Sequence, residues 1–172
     1  MHQIKKVQIK NTAELATLAK SSFLTAHGHS ASKNDIDNYV ADNFSEENFI
    51  KELANPNNHY YLIYYNTILA GYSKITFNTM NNCIDSKNTT YLSRLYLLKK
   101  FYGKNLGKKL FEFNIELSKK HHQKGMWLAV WIENKRAINF YSKMGFKIVG
   151  KLDFKISETH SNPNHIMHLE YY

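Results

Sequence analysis

The sequence predicts an α/β (α+β) fold, a mixed sheet of six to seven strands flanked by about four helices. Three observations predict it. Apolar residues switch along the chain between strand-like alternation and the i, i+3, i+4 spacing of helices. The run Met126 to Ile132 is continuously apolar, as a strand covered on both faces must be. Short turn-forming clusters separate these segments, and only two prolines interrupt the 172 residues. A chain of that length fits one domain, residues 1–172, and buries roughly 70% of its unfolded surface.

The elements follow in order. Residues 2–9 alternate as a strand (Ile4, Val7, Ile9). Asn11-Thr12 offers a cap, and Leu15, Leu18, Ala19, Ser22 and Phe23 follow at helical spacing until His27-Gly28-His29. Residues 33–43 carry a weaker helical pattern. Ser45 opens a short helix with Phe49, Ile50 and Leu53, stopped by Asn55-Pro56-Asn57-Asn58. His59 to Tyr65 and Ile68 to Asn78 read as a hairpin about Asn66-Thr67. A polar loop, 79–88, leads to a strand over 89–98. Gly103 to Gln123 reads as a helix with Leu106, Leu110, Phe113 and Leu117 on one face. After the central strand, Asn134 caps a helix with Ala137, Ile138, Tyr141 and Met144 inward, and Gly145 suits its C′ position. Strands over 146–156 and 165–171 close the chain. The order is β-α-α-β-β-β-α-β-α-β-β.

Composition narrows the function. Cys83 is the sole cysteine, so no intrachain disulfide forms and a reducing compartment, the cytoplasm, is expected. The first ten residues lack the apolar core of a signal peptide, and no apolar run reaches membrane-spanning length. The net charge is +9, which points to a soluble basic protein, a nucleic-acid binder or the binder of a polyanionic ligand. The charge is uneven. Nine basic residues stand against Glu112 and Glu116 between Arg94 and Lys124, whereas Asp35, Asp37, Asp42, Glu46, Glu47 and Glu52 outnumber Lys33 and Lys51 between 33 and 52. A dedicated nucleic-acid binder is more often basic throughout, and no helix-turn-helix or RNA-binding pattern is present. No metal site is expected: His165 and His168 project to opposite faces of a strand, and His27 and His29 lack supporting ligands.

The most informative stretch runs from Leu92 to Leu110. A strand enters a glycine-containing turn that opens a long amphipathic helix. The first N–H groups of a helix have no intrahelical partner, and the aligned peptide dipoles make that end partly positive. Together they form an anion site. Gly103 permits a positive φ, Gly107 admits a close ligand, and Lys104, Lys108 and Lys109 add charge. Neither a P-loop nor a dinucleotide-binding glycine pattern is present.

This turn resembles that of the GNAT superfamily of N-acetyltransferases, whose pattern is [QR]-x-x-G-x-[GA]. The matching positions are Tyr102, Asn105 and Gly107, of which Gly107 alone keeps the family residue. Asn tolerates the left-handed conformation and can stand for glycine at Asn105. The stretch Trp127 to Phe146 is similar to the family's strand followed by N-x-x-A-x-x-F-Y-x-x-x-G-F, with every fixed position present. The resemblance implies a mostly antiparallel sheet, acetyl-CoA as co-substrate and acetyl transfer to an amine in a ternary complex. It implies that the backbone of Leu95, Tyr96 and Leu97 pairs with the pantetheine arm. It places the pyrophosphate on the turn of Tyr102, Gly103, Lys104, Asn105, Leu106, Gly107 and Lys108. Asn134 would hydrogen-bond the pantetheine, Ala137 would belong to the cofactor site, Lys143 together with Lys135 and Arg136 would meet the nucleotide phosphates, and Tyr141 would protonate the departing thiolate.

Relatives often carry carboxylates on the strand before the turn; Tyr91 and Ser93 stand there instead. Glu133 and His59 remain as candidate bases. Phe23 to Gly28, Tyr39, Phe44-Ser45, Val130 to Asn134 and Val149 to Phe154 resemble the bacterial spermidine/spermine N-acetyltransferases. On that likeness the acidic segment 33–52 would attract a small cationic acceptor such as a polyamine. A GNAT fold that binds acetyl-CoA without turning it over, and a basic nucleic-acid-binding protein, are the rival readings. Homodimers are common in the family, and the tail Tyr171-Tyr172 could contribute to one.

Overall fold

A computed structural model describes residues 1–172. A seven-stranded sheet in the order β1-β2-β3-β4-β5-β7-β6 forms its centre. The strands are β1 (His2–Lys6), β2 (Asn58–Tyr65), β3 (Ile68–Thr76), β4 (Thr89–Leu97), β5 (Gly125–Trp131), β6 (Lys147–Lys155) and β7 (Ser161–Glu170). Every neighbouring pair is antiparallel except β4 and β5, which run parallel. The five α-helices are α1 (Thr12–His27), α2 (Lys33–Asn43), α3 (Glu46–Ala54), α4 (Leu106–Lys120) and α5 (Lys135–Lys143). The segment 33–43 is therefore a regular helix. Ser32 supplies what its weak apolar pattern lacks, accepting a hydrogen bond from the Asp35 amide at 3.1 Å.

Helices cover both faces of the sheet. On one face Leu15, Leu18, Ala19 and Phe23 of α1 pack with Phe44, Phe49, Leu62 and Tyr72. On the other, Leu106 and Leu110 of α4 pack with Ile63 and Ala70, while Tyr141 of α5 joins Phe111, Phe146, Met126 and Leu128. Each fully buried Leu, Ile or Phe contributes about 1.5–3 kcal/mol relative to exposure. Where α4 lies over β3 and β4 the contact is small and polar. The Ser118 and Thr90 hydroxyls are 2.6 Å apart, and Asn114 Oδ1 accepts from the Ser73 hydroxyl at 3.2 Å. Asn114 and Ser118 are buried while Phe113 and Leu117 are only half-buried, so the inward stripe of α4 is rotated from the one its apolar residues predict.

Three boundaries differ from the sequence reading. Helix α4 begins at Leu106, because Gly103 (φ 77°) and Asn105 (φ 60°) take left-handed conformations that no helix contains. The last strand begins at Ser161, running through Pro163. Pairing of β5 with β7 stops at Asn164, so Pro163 sits at the end of that ladder, where a missing N–H costs little. The first strand stops at Lys6, although the Val7 amide still reaches Tyr60 O at 2.9 Å. At the other end of α5, Gly145 (φ 95°) closes the helix; its amide bonds Ser142 O at 3.1 Å, and the Phe146 amide bonds Tyr141 O at 3.0 Å.

A β-branched side chain at φ 60° costs about 1–2 kcal/mol. Asn105→Val is accordingly expected to lower the unfolding free energy by about that amount, and Asn105→Gly to leave it level or raise it slightly. Urea melts with unchanged m-value measure both.

Candidate active site

Strands β4 and β5 pair only at Thr89 with Gly125, Thr90 with Met126 and Tyr91 with Trp127. Beyond these residues they diverge, and the sheet is split from Leu92 and Leu128 onward. The Leu98 amide is spent on Ala70 O at 2.8 Å. Strand alternation therefore turns the peptide groups of Leu95 and Leu97 to the open edge and those of Tyr96 to β3. A β-bulge at Ser93, between Leu92 and Arg94, re-aims the strand as it enters the split.

A cleft of about 530 Å³ follows this split, lined by Leu95, Tyr96, Leu97, Tyr102, Gly107, Trp131, Asn134, Ala137 and Tyr141 among others. Helices α4 and α5 both start at its edge, following the two diverging strands. None of the amides from Gly103 to Lys108 donates to a protein acceptor. That run of free N–H groups at a helix start is a seat for an anion such as a diphosphate. Gly107 keeps the approach open: a Cβ there would meet Leu97 Cδ1 at 3.5 Å. The guanidinium of Arg136, on α5, lies over the Tyr102 ring at 3.5 Å from its centroid, so the cleft's two walls meet beside the turn.

The cleft leads to an inner cavity of about 110 Å³ between the split and helices α1 and α2. Leu95, Tyr96, Trp131, Asn134, Ala137 and Tyr141 line both spaces and mark the junction. Asn134 caps α5, its Oδ1 accepting from the Ala137 amide at 3.2 Å, and its side-chain NH₂ makes no hydrogen bond within the protein. Tyr141 is 8% exposed, and burial lifts its phenol above the ordinary tyrosine range, so it stays protonated at neutral pH. His27, at the end of α1, faces the Trp131 and Tyr96 rings at 5.9 and 6.2 Å between centroids. Burial, with help from His29, pushes it down to about 4, so it is a neutral imidazole at pH 7.

The inner cavity also holds Arg94, whose Nη1 donates to the Tyr60 hydroxyl at 3.1 Å. Tyr60 hydrogen-bonds Glu52, which pairs with Lys74 at 2.7 Å. Through Tyr39 and Ile156 the cavity adjoins an outer groove of about 530 Å³ lined by Asp35, Asp42 and the ion pair of Glu158 with Lys155 at 2.7 Å. Of the other acidic residues of the segment, Asp37 pairs with Lys33, Glu47 with Lys51 at 2.9 Å, and Glu46 accepts from the Thr12 hydroxyl at 3.0 Å.

Of the residues predicted from sequence, eight line the cleft: Leu95, Tyr96, Leu97, Tyr102, Gly107, Asn134, Ala137 and Tyr141. Gly103, Lys104, Asn105, Leu106 and Lys108 build the turn at its end and offer backbone rather than side chains. Leu106 is a core residue, 1% exposed, and Lys108 faces Glu112 at 3.6 Å. Lys143 does not line the cleft, which follows α5 from Lys135 only as far as Tyr141. His59 packs against Phe77 and His121 and lines neither space, and Glu133 lines the cleft but not the inner cavity. Arg94, His27 and Trp131 were not singled out in the sequence as site residues. A lone arginine in an otherwise neutral strand was the signal available for Arg94.

A sheet split between two parallel strands, with an unsatisfied helix start at the split and a buried phenol lining it, is built to hold an elongated ligand with an anionic end. The chain belongs to the acetyltransferase (GNAT) family, whose model matches residues 18–146. It is 30% identical over 147 residues to an uncharacterised N-acetyltransferase in the pepI 3′ region of Lactobacillus delbrueckii subsp. lactis, covering 84% of this chain and 85% of that one. It is 29% identical over 100 residues to a spermine/spermidine N(1)-acetyltransferase of Bacillus subtilis, covering 56% of this chain and 66% of that one. The fold matches a PaiA N-acetyltransferase from Thermoplasma acidophilum, crystallised with coenzyme A, at a TM-score of 0.79 over 99% of both chains with 23% identity. Acetyl-CoA is the co-substrate, and no helix is long and apolar enough to cross a membrane.

The depressed His27 gives a pH signature. An unfolded histidine titrates near 6.5, the folded one near 4. Between those values the unfolded chain binds the extra proton, so stability present above about pH 6.5 is lost as the pH falls towards 4. The full span is worth about 3 kcal/mol. His27→Gln should flatten this acid limb in urea melts at pH 4.5 and 7.5, leaving the smaller slope of His59 and His168, which burial also lowers.

Proposed function

We propose that the chain acetylates a primary amine of a small cationic acceptor, a polyamine being the simplest candidate, by direct attack within a ternary complex. One observation carries the reading. The inner cavity touches the cleft at Tyr141 and Asn134 and the acidic outer groove at Tyr39 and Ile156, so a single elongated molecule spans both. The partial likeness to the spermine/spermidine acetyltransferase supports the same class.

The residues would act as follows. The amides of Gly103 to Lys108 hold the diphosphate, and the open edges of Leu95 and Leu97, with the Asn134 amide, align the pantetheine. The acceptor enters from the outer groove with a distal ammonium near Asp35 and Asp42. An alkylammonium is neutral in only about one part in a thousand at pH 7, so its reacting nitrogen must first shed a proton. His27, uncharged and inside the cavity, neither repels the amine nor holds a proton of its own; it is a hydrogen-bond partner for the nitrogen as the proton leaves to water. Attack on the thioester carbonyl then breaks the C–S bond. The departing sulfur takes the proton of the Tyr141 phenol, which burial keeps on the oxygen until an anion appears beside it, and the phenol is restored by the second proton that the nitrogen gives up as the amide forms.

Tyr141→Phe is expected to lower kcat by about 10²-fold while the acetyl-CoA dissociation constant stays within about twofold. Thiol-release kinetics and calorimetry measure the two separately, and unchanged kcat would remove the phenol from the mechanism. Asp35→Asn with Asp42→Asn should raise KM for spermidine several-fold, more at low than at high salt, and leave KM for an uncharged amine such as benzylamine in place. Equal effects on both amines would discard the cationic-acceptor reading.

A further inference from the structure

The inner cavity carries a positive charge that the protein does not neutralise, and we propose that this charge is the seat of a carboxylate on the acceptor itself. The inference rests on the acetyltransferase reading above and narrows its acceptor class, from any small cation to an amine that also bears a carboxylate, as the diamino acids do.

Lys74 and Arg94 are direct neighbours across β3 and β4. Like charges so placed repel and need compensation. One carboxylate is at hand, Glu52, and it is already committed: it pairs with Lys74 at 2.7 Å and hydrogen-bonds the Tyr60 hydroxyl. Arg94 has no ion pair. It donates to the neutral Tyr60 hydroxyl, the equally neutral Tyr72 hydroxyl is close by, and Phe44 and Phe49 lie to one side of it, at 4.9 and 5.8 Å from the ring centroids. A guanidinium has five N–H donors and stays charged at every physiological pH. Sequestered charges are ordinarily paired, because removing one from water costs several kcal/mol. Here the pairing is incomplete and the unspent donors lie along a cavity that adjoins the phenol.

The surroundings offer no other anion. Tyr91 and Ser93, which flank the bulge on the same strand, are neutral. With two rings to one side and Tyr60 on Nη1, the guanidinium keeps further N–H groups unspent, and this planar group takes a carboxylate through two parallel hydrogen bonds. A plain diamine would set a second positive charge against this group. A diamino acid places its carboxylate there and still sends one ammonium towards Asp35 and Asp42.

Two pairs of acceptors differ by that carboxylate alone: lysine against cadaverine, and ornithine against putrescine. With the unaltered protein and acetyl-CoA, kcat/KM is expected to favour the amino acid of each pair by at least about tenfold. Arg94→Met should erase the preference through KM for the amino acid, with KM for acetyl-CoA unchanged. Loss of the ring contacts could unfold that variant, so a second measurement uses the unaltered protein only. The two acetyl-lysine isomers and N-acetylcadaverine are titrated into its coenzyme A complex, and at least one isomer should bind at least about tenfold tighter than the diamine product. Equal or weaker binding of both isomers, or a diamine preferred in turnover, overturns the inference while the acetyltransferase reading stands. Failure to bind acetyl-CoA would overturn that reading, and the inference with it.

Discussion

Strands β4 and β5 leave the base of their pairing at Tyr91 and Trp127 and do not meet again. A split in the middle of a sheet is expensive. It exposes N–H and C=O groups on two inner edges, and buried backbone polar groups are almost always paired. The rest of the site follows from that one departure. The parallel run of β4 and β5 makes α4 and α5 begin at the same end, at the rim of the gap. The small polar contact of Ser118 with Thr90 pins α4 over the point where pairing stops. The bulge at Ser93 turns the strand just as its partner is lost, setting Arg94 and Tyr96 towards α1, α2 and α3.

The two ends of the gap have different chemistry because different layers close them. At the rim, closure comes from the turn after β4, and its currency is backbone: left-handed Gly103 and Asn105 lay out consecutive amides that no side chain could replace. At the inner end, closure comes from α1 and α2, and its currency is aromatic surface and buried ionisable groups. Tyr141 sits where the two regimes meet. It belongs to the apolar cluster under α5 and also lines both spaces, so one burial both holds the helix and keeps the phenol protonated.

This difference explains what could be read from the sequence. The rim was legible because its parts are local: Asn134 and Tyr141 lie on one short helix with Gly145 closing it, and Asn105 and Gly107 lie in one turn. Even the departure at Asn105 was readable, since its tolerance of positive φ is a property of that residue alone. The start of α4 was misplaced by three residues because apolar spacing does not report φ. The inner end was not legible. Arg94 gains its meaning from Phe44, Phe49 and Tyr60, which no spacing rule joins to it. His27 looked like a helix end, and its depressed basicity exists only once Trp131 and Tyr96 enclose it. Lys143 stands outside the lining because, two residues past Tyr141, it is turned to another side of α5, and membership of a helix does not report which side a cleft follows.

Tyr102 shows how a departure from a family pattern is absorbed by the fold. The pattern puts a Gln or Arg at this position, a polar side chain beside the phosphate-binding amides. Tyr102 has no charge to offer, but its ring carries a guanidinium brought from the other wall by Arg136, 3.5 Å from the centroid. An exposed cation over a tyrosine face gains about 0.5–1 kcal/mol, enough to bias where a long, otherwise free side chain rests. Both residues line the cleft, and both stand beside the turn whose amides are unspent. A polar donor such as the pattern puts in the turn is thus present beside the turn, carried by α5 and steadied by Tyr102. A loss read from one position of the chain is a relocation in space, and the cleft keeps its cation at the rim where the diphosphate would arrive.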